Sequence, residues 1–394
     1  MNSFLTDIEK FVRRRQPLRH LVKALERGKI TIGFLGGSIT EPIEEPWNGK
    51  RWSDKVVNWF VGAFPGLTVN VENAAKGATG SQSAIFRVED DIINRSCDLV
   101  FVEYAVNDGG PSDLRSFCRE GLIRKLLNNP QADYDIIVVY AYCQPMLEYM
   151  LRGEMPDSIA EFEPICEHYQ LSSVFMGDYA FRELNSGRLR YEEWLPDGLH
   201  PGDTGSNVYA VPITWLLQEE ITAAKTAAVA AGDADGSSKA SGLENPAAAP
   251  PAIPVPLYPE NWEKACKFSL DDIERRGSWR LVREYRMPTV DRILYTASLQ
   301  ASLFFRFRGT GLVIFVRFGG YSSDYRYQID GGEWIIKNDA RPDWSTQAVD
   351  WIRHDLAASG LPDSEHSVVI EPVFGTNGVC RATNFELCDI GIIR

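Results

Sequence analysis

The sequence predicts a three-layer α/β/α domain followed by an antiparallel β-sandwich, and three observations lead to this fold class. Over residues 1–220, short apolar runs alternate with stretches of helical periodicity, the pattern of a parallel sheet covered by helices. Residues 222–256 are dominated by Ala, Gly, Ser and Pro. Beyond about residue 258, apolar and polar residues alternate between turn signals, as in a sandwich. We therefore expect domains at 1–221 and 257–394, joined by a linker at 222–256.

The predicted strands of the first domain are short, β-branched and nearly all apolar, as expected of strands that are buried on both faces. They are ITIGFLG (30–36), TVNVENA (68–74), DLVFVEYAV (98–106) and DIIVVYAY (135–142). Apolar spacing near 3.6 residues predicts crossover helices at 51–64, 113–129 and 156–171. In the second domain, strands are predicted within 301–318, 324–337, 366–374 and 384–393.

Composition and charge exclude several classes of function. The formal net charge is −13, which argues against nucleic acids and anionic membranes as partners, because these require clustered Lys and Arg. The one basic cluster, Arg13-Arg14-Arg15, is short, and we interpret it as a solvated helix face. No run approaches the ~20 apolar residues of a membrane span. The seven cysteines have no disulfide-framework spacing, and the amino-terminal stretch has no apolar segment of the signal-peptide type. We therefore expect a cytoplasmic protein that binds neither nucleic acid nor membranes, and a homo-oligomer is left open.

Ser38 in GFLGGSIT (33–40) is the first candidate for chemistry. It follows a predicted buried strand, which places it at the carboxyl edge of the sheet, where open α/β sheets bind their ligands. His200 stands in LPDGLHPGDTGS, three residues after Asp197. The carboxylate of Asp197 could orient the imidazole through Nδ1 while Nε2 faces Ser38, although a polar turn with a helix cap explains this loop equally well. The other histidines fall on helical patterns or in the second domain: His20, His168, His354 and His366.

Two further strand ends offer hydrogen-bond donors. The loop after the second strand contains Gly77 and Gly80, whose backbone N–H groups could face a developing oxyanion. The loop after the third strand contains Asn107, whose side-chain amide could donate to the same oxygen. Acyl transfer needs such donors because negative charge develops on the carbonyl oxygen. Taken alone, the stretch Asn107-Asp108-Gly109-Gly110 is better explained as a plain turn.

The order of these four blocks resembles the SGNH hydrolases, also called the GDSL esterase family. The blocks are Gly-x-Ser near the amino terminus, Asn…Gly after the second strand, Val-Asn-Asp after the third and Asp-x-x-His near the end of the domain. The resemblance implies a flavodoxin-like domain and a serine nucleophile with a catalytic triad, without a metal or another cofactor. It assigns the triad to Ser38, His200 and Asp197, and the oxyanion hole to Ser38, Gly77 and Asn107.

The resemblance covers roughly residues 28–220, and within it the chain departs from the family pattern. Gly37 stands where the family often has aspartate, and Ala105 stands where the family usually has glycine. The register of the second block leaves Gly80 as the alternative to Gly77 for the oxyanion N–H. These departures affect the fine geometry of the site, because every group that would move a proton or hold the oxyanion is present.

Aromatic residues lie near the predicted site in the sequence. The stretch after Ser38 carries Trp47 and Trp52 together with the charged Glu41 and Arg51, and Trp194 precedes the loop of the predicted base. Aromatic rings beside a site are suited to stacking on sugar faces, but tryptophans are equally often ordinary packing residues. Trp52 and Trp194 are therefore candidate substrate contacts.

The second domain contains RGTGLVIFVRFGGYSSDYRYQIDGGEW (308–334) followed by LPDSEHSVVIEPVF (361–374). In these stretches it resembles the jelly-roll accessory domains that accompany some SGNH carbohydrate esterases. A role in burying a face of the first domain or in an oligomer contact explains the sandwich at least as well as sugar binding does. Together with the triad, this resemblance predicts a serine esterase that removes acetyl groups from small saccharides. Two alternatives remain open. One is a lipolytic esterase or thioesterase of the same family, and the other is a non-catalytic carbohydrate-binding protein on an esterase scaffold.

Overall fold

The computed structural model of this chain describes residues 5–42, 51–109, 112–129, 133–234, 253–284, 290–341, 351–374 and 382–394. The chain divides into two compact units. The first unit comprises Met1–Ser81 and Glu89–Asn261, and the second unit comprises Gln82–Val88 and Trp262–Arg394. None of the helices in the described part of the chain is long and apolar enough to cross a membrane.

The first unit contains a six-stranded sheet with the strand order β1-β6-β5-β4-β2-β3. The strands are β1 (Val12–Arg13), β2 (Lys29–Gly36), β3 (Thr68–Asn73), β4 (Leu99–Glu103), β5 (Asp135–Val139) and β6 (Ser172–Val174). Neighbouring strands run parallel except for β1, which pairs antiparallel with β6. Every residue of β4 and β5 is buried, because these continuous apolar runs are covered on both faces. The predicted parallel α/β class is confirmed.

In the sequence, the helices lie between these strands and after the last of them. They are α1 (Arg19–Glu26), α2 (Trp52–Ala63), α3 (Ser81–Ala84), α4 (Val88–Asp91), α5 (Asp113–Asn128), α6 (Leu147–Arg152), α7 (Asp157–His168), α8 (Met176–Asn185), α9 (Tyr191–Trp194) and α10 (Asp203–Ala234). The three predicted crossover helices are confirmed as α2, α5 and α7. α10 continues past residue 222, where we expected the linker to begin, because its alanine-rich end has high helix propensity.

The residues directly after the predicted linker are fixed to the first unit by a buried carboxylate. Glu120 on α5 has no exposed surface. It accepts hydrogen bonds from the backbone N–H groups of Leu257 (2.6 Å) and Tyr258 (2.7 Å) and from the hydroxyl of Tyr169 (2.6 Å). Because these are backbone contacts, the composition of the segment gives no sign of them.

The second unit contains two antiparallel sheets, ordered β15-β12-β17-β10-β9 with β7 beside β17, and β14-β13-β16-β11-β8. Apolar side chains from both sheets form one core, so the predicted antiparallel sandwich is confirmed. Burial along β16 alternates with a period of two, as the sequence pattern requires. The strands are β7 (Cys266–Phe268), β8 (Glu274–Arg276), β9 (Arg280–Arg283), β10 (Arg292–Thr296), β11 (Ser302–Gly309), β12 (Gly311–Phe318), β13 (Asp324–Ile329), β14 (Ile335–Lys337), β15 (Trp351–Ala358), β16 (Ser364–Val373) and β17 (Phe385–Ile393).

Residues Gln82–Val88 belong to the second unit although they lie far from its other residues in the sequence. The ring of Phe86 lies 5.5 Å from the ring of Phe315 and 6.4 Å from that of Trp262. A Cβ atom at Gly391 would lie 2.6 Å from the Phe86 ring, so only glycine fits there. Our sequence analysis assigned this segment to the domain at 1–221.

Candidate active site

Ser38 lies in a tight turn directly after β2, at the carboxyl edge of the parallel sheet. The carbonyl oxygen of Gly37 accepts hydrogen bonds from the backbone N–H groups of Thr40 (3.0 Å) and Glu41 (2.9 Å), which closes the turn. Gly37 and Ile39 are buried, whereas Ser38 is partly exposed. The turn therefore presents the hydroxyl of Ser38 at the surface while its flanking residues are anchored.

His200 links Ser38 to Asp197 through its two ring nitrogens. Nε2 of His200 lies 2.8 Å from Oγ of Ser38, and Nδ1 lies 2.7 Å from Oδ2 of Asp197. Gly198 adopts a φ of +84°, in the left-handed region, and this allows the loop to fold back on itself. The second oxygen of Asp197 then accepts the backbone N–H groups of Leu199 (2.9 Å) and His200 (2.7 Å). This arrangement can move a proton from the hydroxyl to the imidazole.

The environment of Asp197 favours its charged form. Partial burial acts to raise the pKa of this carboxyl group, but hydrogen bonds from the amide and imidazole of His200 and from the amide of Leu199 outweigh burial. The pKa of Asp197 therefore lies below its ordinary value. A carboxylate in this position can fix the tautomer of the imidazole and stabilise the imidazolium.

Gly77 lies beside Ser38, whereas Gly80 does not. A Cβ atom built on Gly77 would lie 3.6 Å from Cβ of Ser38. The corresponding atom on Gly80 would instead meet the Asp108 carboxylate, at 2.4 Å. In this structure the N–H of Gly77 donates to the carboxylate of Glu41 at 2.8 Å. Of the two glycines that the sequence left open, Gly77 is the one that lies beside Ser38.

The side chain of Asn107 packs directly against the Cα of Gly37, next to Ser38. A Cβ atom at Gly37 would lie 1.8 Å from Oδ1 of Asn107, so a side chain at residue 37 would require the amide of Asn107 to move. This contact accounts for the glycine that stands where the resembled family often has aspartate. The amide of Asn107 occupies the space that an aspartate would need.

A buried ion pair fixes the loop that carries Asn107. Asp108 and Arg119 have fully buried side chains, and Nε of Arg119 donates to Oδ2 of Asp108 at 2.7 Å. The other carboxylate oxygen accepts the N–H of Ser81 at 2.8 Å. Asp108 thus joins the Asn107 loop to the loop that contains Gly77. We did not identify this pair from the sequence, where Asp108 was part of a turn signal.

Comparison with known proteins shows that a solved structure shares the fold of this chain. No protein-family model and no curated protein sequence matches the chain. Among solved structures, a two-domain esterase (CEX) active on acetylated mannans superposes with a TM-score of 0.79 at 22% identity, over 98% of each chain. The same esterase co-crystallised with mannopentaose gives a TM-score of 0.77, also at 22% identity and over 98% of each chain. This chain and the mannan-active esterase therefore share one fold. The predicted resemblance to two-domain carbohydrate esterases is thereby confirmed at the level of the fold.

The two tryptophans that we predicted as substrate contacts are packing residues in this structure. Trp52 and Trp194 have no exposed surface. Nε1 of Trp52 donates to the hydroxyl of Thr40 at 3.0 Å, and the ring of Trp194 lies 4.7 Å from the ring of Tyr142. A ring without exposed surface cannot stack on a sugar, so the packing alternative holds for both residues. Trp47 lies outside the described residues.

Charged side chains border Ser38 on the side of Gly77. Glu41 forms an ion pair with Lys76, with 2.7 Å between Oε1 and Nζ. Burial lowers the pKa of Arg51, and the negative charges of Asp197 and Glu41 oppose this effect. The surroundings of Ser38 are therefore polar, which the sequence indicated only through the residues Glu41 and Arg51.

The remaining histidines lie outside this site. His366 in the second unit resembles a triad member, because Nδ1 lies 2.7 Å from Asp330 and Nε2 lies 3.2 Å from Oγ of Ser364. However, Nε2 also lies 2.9 Å from the carbonyl oxygen of Pro362, so both ring nitrogens face acceptors. The Asp330 carboxylate and the Pro362 carbonyl raise the pKa of His366, as expected of a structural imidazolium rather than a base. His20, His168 and His354 bind Asp133, the Val255 carbonyl and Gln82.

Within the described residues, no group of three or more His, Cys, Asp and Glu side chains is arranged to hold a metal ion.

Proposed function

We propose that this chain is a serine esterase that hydrolyses acetyl esters of carbohydrates. The observation that carries the proposal is the continuous hydrogen-bond chain from Ser38 through His200 to Asp197, with distances of 2.8 and 2.7 Å. This chain lies at the carboxyl edge of a parallel sheet, where α/β enzymes bind their substrates. The fold shared with an esterase active on acetylated mannans supports the same class of reaction.

The first half of the reaction forms an acyl-enzyme. Oγ of Ser38 attacks the carbonyl carbon of the ester, and its proton passes to Nε2 of His200. The carbonyl oxygen becomes an oxyanion that accepts hydrogen bonds from the N–H groups of Ser38 and Gly77 and from the amide of Asn107. When the tetrahedral intermediate collapses, the bond to the sugar oxygen breaks. The imidazolium, stabilised by Asp197, then gives its proton to the leaving hydroxyl group.

The second half of the reaction repeats these steps with water. His200 takes a proton from water, whose oxygen attacks the acyl carbon and regenerates the oxyanion. Collapse releases acetate and returns the proton to Ser38. Because Gly77 donates to Glu41 in the free protein, the acyl oxygen must take over this donor from the carboxylate. No step requires a group other than the substrate, water and these side chains.

The polar surroundings of Ser38 support a short acyl group. The ion pair between Glu41 and Lys76 lies beside Gly77, the side on which the carbonyl oxygen would be held. Placing a long apolar chain against these charges would remove their hydration without compensation. An acetyl group avoids this penalty, and the activity of the structural neighbour on acetylated mannans supports an acetylated saccharide as the substrate.

The proposal is tested with 4-nitrophenyl acetate, butyrate and octanoate, and with acetate release from acetylated mannan. Ser38→Ala should lower kcat on the order of 10⁵-fold, because the nucleophile is removed. Ser186→Ala is the matched control, since Ser186 is an exposed serine just beyond α8. Preference for octanoate would indicate the lipolytic alternative. An inert wild-type chain that binds mannan would indicate the non-catalytic alternative.

A further inference from the structure

Glu103 is a buried carboxyl group that the proposed reaction does not use. It is the last residue of β4, the central strand that precedes the Asn107 loop, and it has no exposed surface. A carboxyl group is costly to bury unless it makes specific hydrogen bonds. Its contacts therefore indicate what it does.

The contacts of Glu103 reach the two loops that carry the proposed nucleophile and oxyanion donor. Oε2 accepts a hydrogen bond from the hydroxyl of Thr40, at 3.3 Å, in the turn of Ser38. The backbone N–H groups of Gly37 and Val106 also interact with the carboxyl group. Gly37 directly precedes Ser38, and Val106 directly precedes Asn107. One side chain therefore contacts both loops from beneath.

We propose that Glu103 is a positioning residue that sets the distance between Ser38 and Asn107 for the proposed esterase reaction. This inference rests on the proposed function. The two loops come from different strands, and 63 residues separate Glu103 from Thr40. Without the carboxyl group, the N–H groups of Gly37 and Val106 and the Thr40 hydroxyl lose a shared acceptor in a buried space. The loops are then free to shift relative to each other.

The charge of Glu103 changes near neutral pH. Burial raises its pKa to about 7, although the Thr40 hydroxyl and the N–H group of Gly37 favour the charged form. Among described residues, Oε1 has no hydrogen-bond partner, which agrees with a weakly stabilised charge. The titratable groups that face it are Asp108 on the Asn107 loop, Cys143 after β5 and Tyr209 on α10.

Each of these neighbours has its own partner or surroundings, although the charge of Glu103 also contributes to the raised pKa of Cys143 and of Tyr209. Asp108 is paired with Arg119. Burial raises the pKa of Cys143 to about 11 and that of Tyr209 well above its ordinary value, so both are neutral at physiological pH. Glu103 is therefore the member of this cluster whose charge changes between slightly acidic and slightly basic conditions. The ionised form is the stronger acceptor, since hydrogen bonds to a charged group are roughly twice as strong as neutral ones.

The experiment compares Glu103→Ala and Glu103→Gln with the wild-type chain on 4-nitrophenyl acetate. Glu103→Ala should lower kcat by about 10²-fold with little change in KM, because a displacement of ~1 Å is enough for such a loss. Glu103→Gln keeps the shape and a carbonyl acceptor, and below neutral pH it should recover most of kcat. Above neutral pH, its kcat/KM relative to wild type should fall by about 3-fold or more, because only the wild type gains the charged acceptor. The ratio cancels the ionisations that both proteins share.

Asp135→Asn is the matched control. Asp135 is also a buried carboxyl group whose pKa burial raises to about 7, but it lies at the amino end of β5 and accepts the N–H of Leu21 at 2.8 Å. This variant should lose stability without losing kcat. The inference is overturned by a kcat/KM ratio of Glu103→Gln to wild type that is independent of pH, by wild-type kcat in Glu103→Ala, or by an equal loss of kcat in Asp135→Asn. If the wild-type chain hydrolyses no ester, the proposed function fails together with it, whereas an active wild type with unaffected Glu103 variants refutes the inference alone.

Discussion

Replacing Gly37 by alanine should abolish most of the activity while leaving the fold intact. The added Cβ atom would lie 1.8 Å from Oδ1 of Asn107, whereas Cβ contacts shorter than 3.0 Å are essentially never observed. The amide must therefore retreat by at least the difference, 1.2 Å. The atom in the way is the end of a flexible side chain, so Asn107 can move without disturbing the strand beneath it.

The magnitudes of the two effects differ strongly. An off-rotamer side chain costs about 0.5–1.5 kcal/mol, and the free energy of unfolding should fall by no more than this. For catalysis, the displaced amide no longer reaches the oxyanion, and loss of one such donor lowers kcat by about 10²–10³-fold, equivalent to about 3–4 kcal/mol. Gly37→Ala should thus separate activity from stability.

The assay is kcat on 4-nitrophenyl acetate, measured beside the midpoint of denaturant unfolding. Gly62→Ala is the matched control, because Gly62 lies within α2 and an added Cβ atom there meets nothing within 4 Å. That variant should keep wild-type kcat and gain about 0.5–1 kcal/mol, since alanine favours the helix. If Gly37→Ala retains kcat within a few-fold of wild type, Asn107 has no role as a donor and the geometric reasoning is refuted.

Three further predictions concern carboxylates and a histidine. Asp197→Asn should lower kcat by about 10³–10⁴-fold at neutral pH, because an amide neither fixes the tautomer nor stabilises the imidazolium. The pKa of Asp197 is lowered in the folded protein, so the contribution of this carboxylate to stability should persist in wild type until the pH falls through that lowered value. The pKa of His366 is raised, so its stabilising effect is complete below about pH 6.5 and is lost as the pH rises through the raised value. His366→Gln should therefore reduce the Tm at slightly acidic pH, and this difference should shrink in basic buffer. Glu120→Gln should lower the free energy of unfolding by about 2 kcal/mol and accelerate hydrogen exchange at the amides of Leu257 and Tyr258.

Each of these predictions has an outcome that contradicts it. Wild-type kcat in Asp197→Asn would mean that His200 is oriented by another group. A difference in Tm between His366→Gln and wild type that does not change with pH would show that the imidazole is not charged in the folded protein. Unchanged exchange at the amides of Leu257 and Tyr258 in Glu120→Gln would show that packing, rather than the carboxylate, holds this segment.

The parts of the fold that the sequence predicts are those with long, regular patterns. The apolar runs of β2, β4 and β5 identify these strands, because burial on both faces leaves little room for polar residues. β3 also lies where the sequence predicts a strand, but it is at the edge of the sheet and its residues are exposed or half-buried, so the expected burial on both faces is wrong for this strand. β1 and β6 were not predicted, because strands of two and three residues are too short to show a period. The sequence places only Ser38 at the carboxyl edge of the sheet, and its proximity to Asp197 and His200 was an expectation from the resemblance to the SGNH hydrolases.

The sequence does not reveal which residues that are far apart along the chain contact each other in the fold. The pairing of Asp108 with Arg119 and the contacts of Glu103 depend on how loops approach each other in three dimensions. The assignment of Trp52 to substrate binding rested on the type of residue, and residue type does not report exposure. The sequence shows only that Gly37 stands where the resembled family often has aspartate, whereas the structure shows that the side-chain amide of Asn107 packs against it.

The second unit is built from two separate stretches of the chain, and this restricts the order in which the protein can fold. Synthesis proceeds from the amino terminus, so Gln82–Val88 leaves the ribosome long before Trp262–Arg394 exists. Phe86 must remain without its final neighbours until nearly the whole chain has been made, and contacts that close so large a loop form slowly. A fragment that begins at the linker would lack Phe86 altogether, leaving a gap at Gly391 and Phe315. The second unit is thus continuous in space but not separable as a stretch of sequence.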